Sequence, residues 1–472
     1  MEIKLPKKVK EVLDKFNDEG YEIYIVGGAV RDILMNKLVY DWDFTTNATP
    51  DKILKIFKEA YYTNDFGTVG IPNENKRERP FEITTFRKEY GYSDSRRPDR
   101  VEWGKTLEDD LQRRDFTINA MALQEEKREK AKKENKDEYS SDFISCNMKL
   151  IDFFNGQADL RNKIIRAVGN PDERISEDAL RMMRAIRIAS ELNFKIEEKT
   201  FNAIIKNASL INKISKERVR DELFKLLKSP YPHKGILLLK NSLLMQKILP
   251  EMEKTFGVEQ KSPGRHHIFE VGLHSLNSLK FIAERNEDPI VRLATLIHDI
   301  GKPQTFKKLE NGTITFYNHE IIGAQIAKRI AERLHFSKKQ KEKLFKLVRY
   351  HQFSVDERQT DSAIRRFIRK VGIENLKDIL DLRVGDRLGG GARETSWRLE
   401  EFKRRLIEVQ KQPFTVHDLK ITGYDVMKIL NIQPGPKVGE ILDKLFEEVI
   451  NHKIENNKLV LIKRLEEIKN ER

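Results

Sequence analysis

The strongest constraint in this chain is a change of pattern along its length. Up to about residue 125, short β-branched runs (YEIYIVGG, YDWDFTT, FGTVGI, PFEITTFR) are separated by turn residues and by helical stretches such as KVKEVLDKFNDEG and TPDKILKIFKEA. Such alternation predicts an α/β or α+β unit with a small sheet. From about residue 174 the spacing turns helical and largely stays so. ISEDALRMMRAIRIASELNF sets Leu180, Met183, Ile186, Ala189 and Leu192 close to one helical face. With 472 residues there is room for roughly three domains.

Composition narrows the classes. The single cysteine, Cys146, excludes an intramolecular disulfide framework and a cysteine-clustered zinc site. The opening MEIKLPKKVKEVLDKF lacks an apolar core of signal-peptide length, and no stretch approaches ~18 apolar residues. A soluble, cytoplasmic protein with no membrane partner is expected. The net charge of +14 suits a polyanionic partner such as nucleic acid. Residues 125–142 have almost no apolar content and read as a solvated insertion. ISKERVRDELFKLLKS opens on Ser215, but Arg218 stands where a capping box wants Glu, so the N-cap signal is partial.

A first constellation lies in the head. Gly27 and Gly28 end the apolar run IYIV and precede the helical AVRDILM, a strand-to-helix turn that lets backbone N–H groups approach a phosphate. Asp41 and Asp43, two apart on an extended segment, are expected to face one side. Paired carboxylates repel unless a cation bridges them, and Mg²⁺, which takes a few carboxylates plus substrate phosphates and water, is the natural bridge. Glu82, on another predicted strand, can supply a third carboxylate. Arg113 and Arg114 stand beside Asp115 in DLQRRDFTINAMAL, and guanidinium forks suit triphosphate oxygens.

GG-x-VRD, then DxD, then RRDFTINAMA, in that order, resembles the class II transfer-RNA nucleotidyltransferase and bacterial poly(A) polymerase family. The resemblance continues through IDFFNGQADLRNKIIRAVG and ISEDALRMMRAIR. It implies a polymerase-β-like head with a small mixed sheet, followed by a mostly helical neck, body and tail. It implies catalysis by Asp41, Asp43 and Glu82, and nucleotide binding by Gly27, Gly28, Arg31, Arg113, Arg114, Asp115 and Asn119. Glu177, Asp178 and Arg181 match the family's nucleotide-selecting E-D-x-x-R. Spacings of three and four would gather them on one helix surface, where carboxylates accept from the amino groups of cytosine or adenine and arginine donates to ring acceptors. Arg184 and Arg187 continue that face as phosphate or tRNA contacts. TFRKEYGYSDSRRPDRVEW resembles the family's flexible loop, with Arg96 and Arg97 as nucleotide or RNA contacts.

The implied activity is CCA addition to tRNA 3′ ends from CTP and ATP, with Mg²⁺ as cofactor and pyrophosphate as product. An A-adding enzyme or a poly(A) polymerase is the alternative.

A second ordered set, HIFEVGLHSLNSL, LATLIHDIGKPQTF, YNHEIIGAQIA, VRYHQFSV and LRVGDRLGGG, resembles the HD phosphohydrolase superfamily, including its HDIG variant. The match implies an embedded all-helical HD domain with His274, His298, Asp299 and Asp386 as metal ligands, and His319 and His351 as the extra histidines of dinuclear members. Imidazole plus carboxylate without thiolate suits several divalent metals and does not choose among them. Lys302 can contact a phosphate. His266 and His267 lie upstream and read as a polar turn. An HD phosphohydrolase with an RNA-binding head is the rival from another class. The expected division is a head over 1–150, a helical neck and body over 151–260, an HD domain over 261–405 and an RNA-binding tail over 406–472. Pro434, Gly435 and Pro436 break the tail helices, and Lys437 beside them is a possible RNA contact.

Overall fold

The structure, a computed structural model, describes residues 1–64, 67–73, 79–91, 100–126, 142–260, 269–353, 359–410, 416–451 and 453–470. It divides into two compact units: Met1–Lys254 with Glu332–Phe336, and Thr255–Ala331 with Ser337–Arg472. Among the described residues, no helix is long and apolar enough to cross a membrane.

The first unit begins with strands β1 (Glu2–Pro6), β2 (Ile23–Val26), β3 (Asp43–Thr46), β4 (Tyr61–Asn64), β5 (Thr68–Ile71), β6 (Phe81–Thr85), β7 (Arg87–Tyr90), β8 (Arg100–Trp103), β9 (Ala122–Glu125) and β10 (Phe143–Ile151). Eight of them form one mixed sheet, ordered β1-β10-β9-β2-β3-β6-β5-β4. Within this sheet, among the described residues, only β3 and β6 pair in parallel, with Asp43 opposite Glu82 and Phe44 opposite Ile83. The run IYIV is unbroken because β2 is buried on both faces. Ile23 and Ile25 join one core cluster with Phe44 and Ile83, while Tyr24 and Val26 join a second with Phe86 and Leu111.

Among the described residues this unit also holds a short parallel strand pair, Ile164–Ile165 with Lys195–Ile196, and the α-helices α1 (Lys7–Asp18), α2 (Gly28–Leu34), α3 (Pro50–Ile56), α4 (Leu107–Gln112), α5 (Gly156–Asn162), α6 (Pro171–Glu177), α7 (Arg181–Leu192), α8 (Glu198–Asn207), α9 (Lys216–Lys228), α10 (Pro232–Asn241), α11 (Met245–Ile248) and α12 (Pro250–Glu253). α1 buries Val9, Val12, Leu13 and Phe16, the spacing of one helical face.

The second unit contains α13 (Val271–Ala283), α14 (Pro289–Ile297), α15 (Lys302–Thr305), α16 (His319–Arg333), α17 (Lys338–Tyr350), α18 (Asp361–Val371), α19 (Leu376–Gly389), α20 (Trp397–Val409), α21 (Gly423–Leu430), α22 (Pro436–Ile450) and α23 (Lys458–Asn470). The last residues of α16 fall in the first unit. α14 is buried from Ile290 to Ile297, a central helix that carries its C-terminal end into the site described below. α13 and α19 lie so close that a Cβ on Gly389 would sit 2.1 Å from Ser278 Oγ. A separate buried cluster runs from Leu419 to Ile468.

Several expectations are corrected. Glu177, Asp178 and Arg181 do not share one helix. α6 ends at Glu177, Asp178 is extended (φ −138°, ψ 103°), and α7 starts at Arg181. The Asp178 carboxylate accepts the Leu180 N–H at 3.0 Å, a local bond that favours a helix start over a helix interior. The expected flexible loop, residues 85–103, contains two paired antiparallel strands, β7 and β8; Arg96 and Arg97 between them lie outside the described residues, as do His266, His267 and most of the 125–142 stretch. Glu125 is the last residue of β9, paired with Met148. Asp41 precedes β3 rather than lying on it. The stretch 261–405, expected to be all-helical, carries a short antiparallel hairpin, Lys307–Lys308 with Ile314–Thr315. Ser215 makes no side-chain cap to α9.

Candidate active site and metal centre

In the first unit the chain leaves β2 at Val26 and turns through Gly27 (φ 74°, ψ −138°) into α2, a backbone conformation open essentially to glycine alone. A Cβ at Gly27 would lie 3.1 Å from Arg114 Nη1 and 3.2 Å from Asp43 Oδ2. The glycine backbone thus passes beside both the guanidinium and the carboxylate. Burial pushes Asp43 up to about 6; Arg114 opposes this, while Asp41 and Glu82 add to it. Burial, followed by the Asp41 charge, also raises Glu82. Asp41 is exposed and receives Arg79 Nη1 at 2.6 Å. Two carboxylates raised by burial and by neighbouring negative charge, with Asp41 beside them, fit a divalent cation, which relieves the repulsion.

Asp110 and Asp115 organise the arginines. The buried Asp110 accepts Arg113 Nη2 at 2.6 Å and Arg114 Nη2 at 3.2 Å. Burial alone would raise Asp110, but the two guanidiniums outweigh it and hold the carboxyl below its ordinary value. Asp115 takes Arg184 Nη2 at 2.6 Å and Nε at 2.8 Å. Burial opposes its ionisation, and Arg184 overcomes that to bring Asp115 down to about 2. Asn119 extends the chain of contacts, donating to Asp115 at 3.3 Å and accepting from Arg31 Nη1 at 3.0 Å. The helix after the glycine turn is thereby tied to the RRD segment and to α7.

At the junction of α6 and α7, Glu177 receives Arg174 and Arg181, both at 2.6 Å. Arg181 also donates to the carbonyl oxygens of Arg174 and Arg113, each at 2.9 Å. Asp178 pairs with Arg218 Nη2 at 2.8 Å instead of with Arg181. Arg187 bonds Glu191 and the buried Glu222. Arg184 and Arg187, expected as phosphate or tRNA contacts, are therefore engaged in ion pairs here. Sequence reasoning missed Asp110 and Arg174, and weighed Arg218 only as a structural residue near the start of α9. Asp110 had a signal: it stands three and four residues before Arg113 and Arg114 on α4 and its end.

In the second unit six expected ligands converge. His274, His298 and Asp299 form one group able to hold a metal ion, and Asp299, His319 and His351 form another. His274 Nε2 lies 3.2 Å from His298 Nε2 and 3.1 Å from Asp386 Oδ1. Asp299 Oδ2 is 3.2 Å from His298 Nε2, and its Oδ1 is 3.3 Å from His319 Nε2. Asp299 therefore presents one oxygen to each group. The Nδ1 atoms of His298, His319 and His351 lie 2.7–2.8 Å from the carbonyl oxygens of Thr295, Phe316 and Val348. Each partner is three residues upstream, so donation from Nδ1 leaves the Nε2 lone pair aimed into the cluster. Burial drives His351 down to about 3, toward the neutral imidazole that is the ligand form, whereas at His298 burial is overcome by Asp299 and Asp386, which hold it up at about 10, positive charge that a bound cation would replace. The arrangement fits a divalent metal. Lys302 Nζ reaches Asp299 Oδ2 at 2.6 Å and Gln260 Oε1 at 2.8 Å.

Residues 23–166 match the poly(A) polymerase head domain, 193–256 the RNA and SrmB-binding site of polymerase A, and 313–465 domain 2 of tRNA nucleotidyltransferase. The CCA-adding enzyme of Pediococcus pentosaceus is 32% identical over 455 residues, covering 96% of each chain. That of Ligilactobacillus salivarius is 33% identical, covering 99% of this chain and 97% of its own. The chain belongs to the CCA-adding enzyme family. As a member it is a nucleotidyltransferase, and the family implies dependence on a divalent metal. The crystal structure of the Bacillus stearothermophilus CCA-adding enzyme in complex with CTP matches with a TM-score of 0.66 and 26% identity, covering 98% of this chain and 97% of that one. Its likeness extends over both units.

Proposed function

We propose that this CCA-adding family member completes the 3′ end of tRNA, adding C, C and A from CTP and ATP without a nucleic-acid template and releasing pyrophosphate. The observation that carries this reading is the gathering of Asp43, Glu82, Gly27 and Arg114 at the mouth of β2, β3 and β6. The tRNA 3′-hydroxyl attacks the α-phosphorus, and the bond to pyrophosphate breaks. Asp41 and Asp43, with Glu82 beside them, are the residues that would hold Mg²⁺, which when bound would supply positive charge to lower the pKa of the hydroxyl and offset the charge on the leaving pyrophosphate. Arg113 and Arg114, steadied by Asp110, position the triphosphate. Gly27 and Gly28 let the backbone approach it, and Arg31 and Asn119 support that wall. Asp115 fixes Arg184 and the start of α7, while Arg187 braces α7 through Glu222. Glu177, Asp178 and Arg181 read the base edge, rejecting U and G, which put a carbonyl where the amino group is needed.

The four-part division into head, neck and body, HD domain and tail belongs to this reading, as does a cytoplasmic location with tRNA, CTP and ATP as partners. The test is extension of three tRNAs, ending before CCA, after C and after CC, with CTP and ATP given singly and together. Growth of the first by CCA and then a stop is the expected result. One A added only to the CC-ending tRNA would make the chain an A-adding enzyme, and long A tracts a poly(A) polymerase.

The second unit supports an additional activity. Its shared-aspartate cluster, with His274, His298, Asp299, His319, His351 and Asp386 as ligands, reads as an HD-type divalent-metal phosphohydrolase acting on RNA-terminal or nucleotide phosphoesters. Release of phosphate by the manganese-loaded protein tests it.

A further inference from the structure

A cavity of about 760 Å³ opens over the histidine–aspartate cluster, the size of a small-molecule pocket rather than of a lone phosphate. Lys302, Arg383 and Arg387 line it and balance Asp299, Asp386 and Glu320, so with the divalent metal bound at the ligands its inner wall would favour an anion. The same wall carries two consecutive aromatic residues with different surroundings. Phe316 is engaged: its ring meets Phe306 edge-on at 5.9 Å and lies 5.3 Å from the Lys302 ammonium. Tyr317 is 78% exposed and has no side-chain partner among the described residues.

Its position is built. The chain turns directly after Tyr317 through Asn318, whose φ of 63° is left-handed, and the Asn318 carbonyl accepts the N–H groups of Ile321 and Ile322. Asn is among the few side chains that tolerate this conformation. The turn starts α16 and holds Tyr317 two residues from the ligand His319, at the pocket wall. A large ring left in water beside an anion-binding metal pocket offers a face on which a nucleobase can stack, and such stacking is worth roughly 1–3 kcal/mol per base.

We propose that Tyr317 is a specificity-determining stacking platform, and that the pocket therefore takes phosphoesters of nucleosides in preference to the same sugar phosphates without a base. This rests on the phosphohydrolase reading of the cluster. The reaction is hydrolysis: water oxygen bonds to phosphorus, the phosphorus–oxygen bond to the sugar breaks, and a water proton ends on the departing sugar hydroxyl. No oxidant or reductant is needed.

The experiment compares the 2′-, 3′- and 5′-phosphates of adenosine, each against its base-free ribose phosphate, on manganese-loaded full-length protein. At least one adenosine ester should be hydrolysed with kcat/KM on the order of 10-fold above its base-free partner, as one stacked base predicts. Tyr317→Ala should erase that preference through KM, and Tyr317→Phe, which keeps the ring, should retain it. Upfield shifts of the adenine protons on binding, seen with the wild type and reduced in Tyr317→Ala, report stacking independently of turnover. Thermal unfolding of both variants checks that they are folded. Hydrolysis without a base preference, or a preference unchanged by Tyr317→Ala, overturns the inference and leaves the phosphohydrolase reading standing. Failure to hydrolyse any ester overturns that reading, and the inference with it.

Discussion

Asp43 and Glu82 occupy paired positions on the parallel strands β3 and β6, so two carboxylates far apart in sequence are held side by side by a parallel pairing in the main sheet. Burial, with the charges of Asp41 and Glu82, leaves Asp43 at about 6, and burial with the Asp41 charge raises Glu82, a cost that a bound cation removes. Asp43→Ala should therefore lower nucleotide addition on the order of 10³-fold, the loss of several kcal/mol of charge stabilisation, while tRNA binding in a filter assay persists. Glu82→Gln, which keeps the shape and removes one charge, should cost less. Near-normal incorporation by Asp43→Ala would end the assignment of Asp43 as a metal ligand.

Gly27 offers a test that changes no functional group. Alanine there meets Arg114 Nη1 at 3.1 Å and Asp43 Oδ2 at 3.2 Å, in a backbone conformation with φ 74°. The strain is about 1–3 kcal/mol, and relief requires the arginine or the carboxylate to move. Gly27→Ala should raise KM for CTP and ATP together and lower kcat, with the unfolding midpoint reduced by the strain. Unchanged steady-state constants would mean that the gap between Arg114 and Asp43 is not used.

How much of this was legible in the sequence differs residue by residue. β2 was plain because two buried faces demand an unbroken apolar run. Glu82 was suspected, but its pairing with Asp43 depends on a register that no local pattern encodes. The break between α6 and α7 was hidden: Leu180, Met183 and Ile186 keep helical spacing across it, and no proline or glycine marks it. Asp110 was overlooked because a carboxylate within LEDD reads as a solvated face, and only the fold buries it against Arg113 and Arg114. The histidines of the second unit stood out by motif, while the carbonyl oxygens that orient their rings depend on three-dimensional placement.

The Asp115–Arg184 pair predicts an acid-dependent loss of stability. Asp115 titrates near 2 in the folded chain against an ordinary 3.8, so its stabilisation is fully present above about pH 4–5 and is lost as the pH falls through about 2. The shift corresponds to about 2 kcal/mol. Asp115→Asn should lower the unfolding free energy by about 2 kcal/mol near neutral pH, the value of the lost shift, and flatten its decline between pH 4 and 2. Urea unfolding across that range measures both. A variant whose acid limb is as steep as that of the wild type would show that another carboxylate governs it.

The shared aspartate of the second unit makes a prediction about stoichiometry. Asp299 presents Oδ2 to the group with His274 and His298 and Oδ1 to the group with His319 and His351. Removing one histidine from the second group should weaken one ion, whereas removing Asp299 should weaken both. Protein loaded with manganese and desalted should retain fewer equivalents as His319→Ala and fewer still as Asp299→Ala, read by elemental analysis. Asp41→Asn, made in parallel, identifies any manganese held by the head. Because His319 sits at the start of α16, where a Cβ on Gly301 would lie 2.1 Å from its carbonyl oxygen, Gly301→Ala should displace that backbone and mimic His319→Ala. Full retention in Asp299→Ala would mean that the two groups do not share a ligand, and full retention in Gly301→Ala that the tight approach does not position His319.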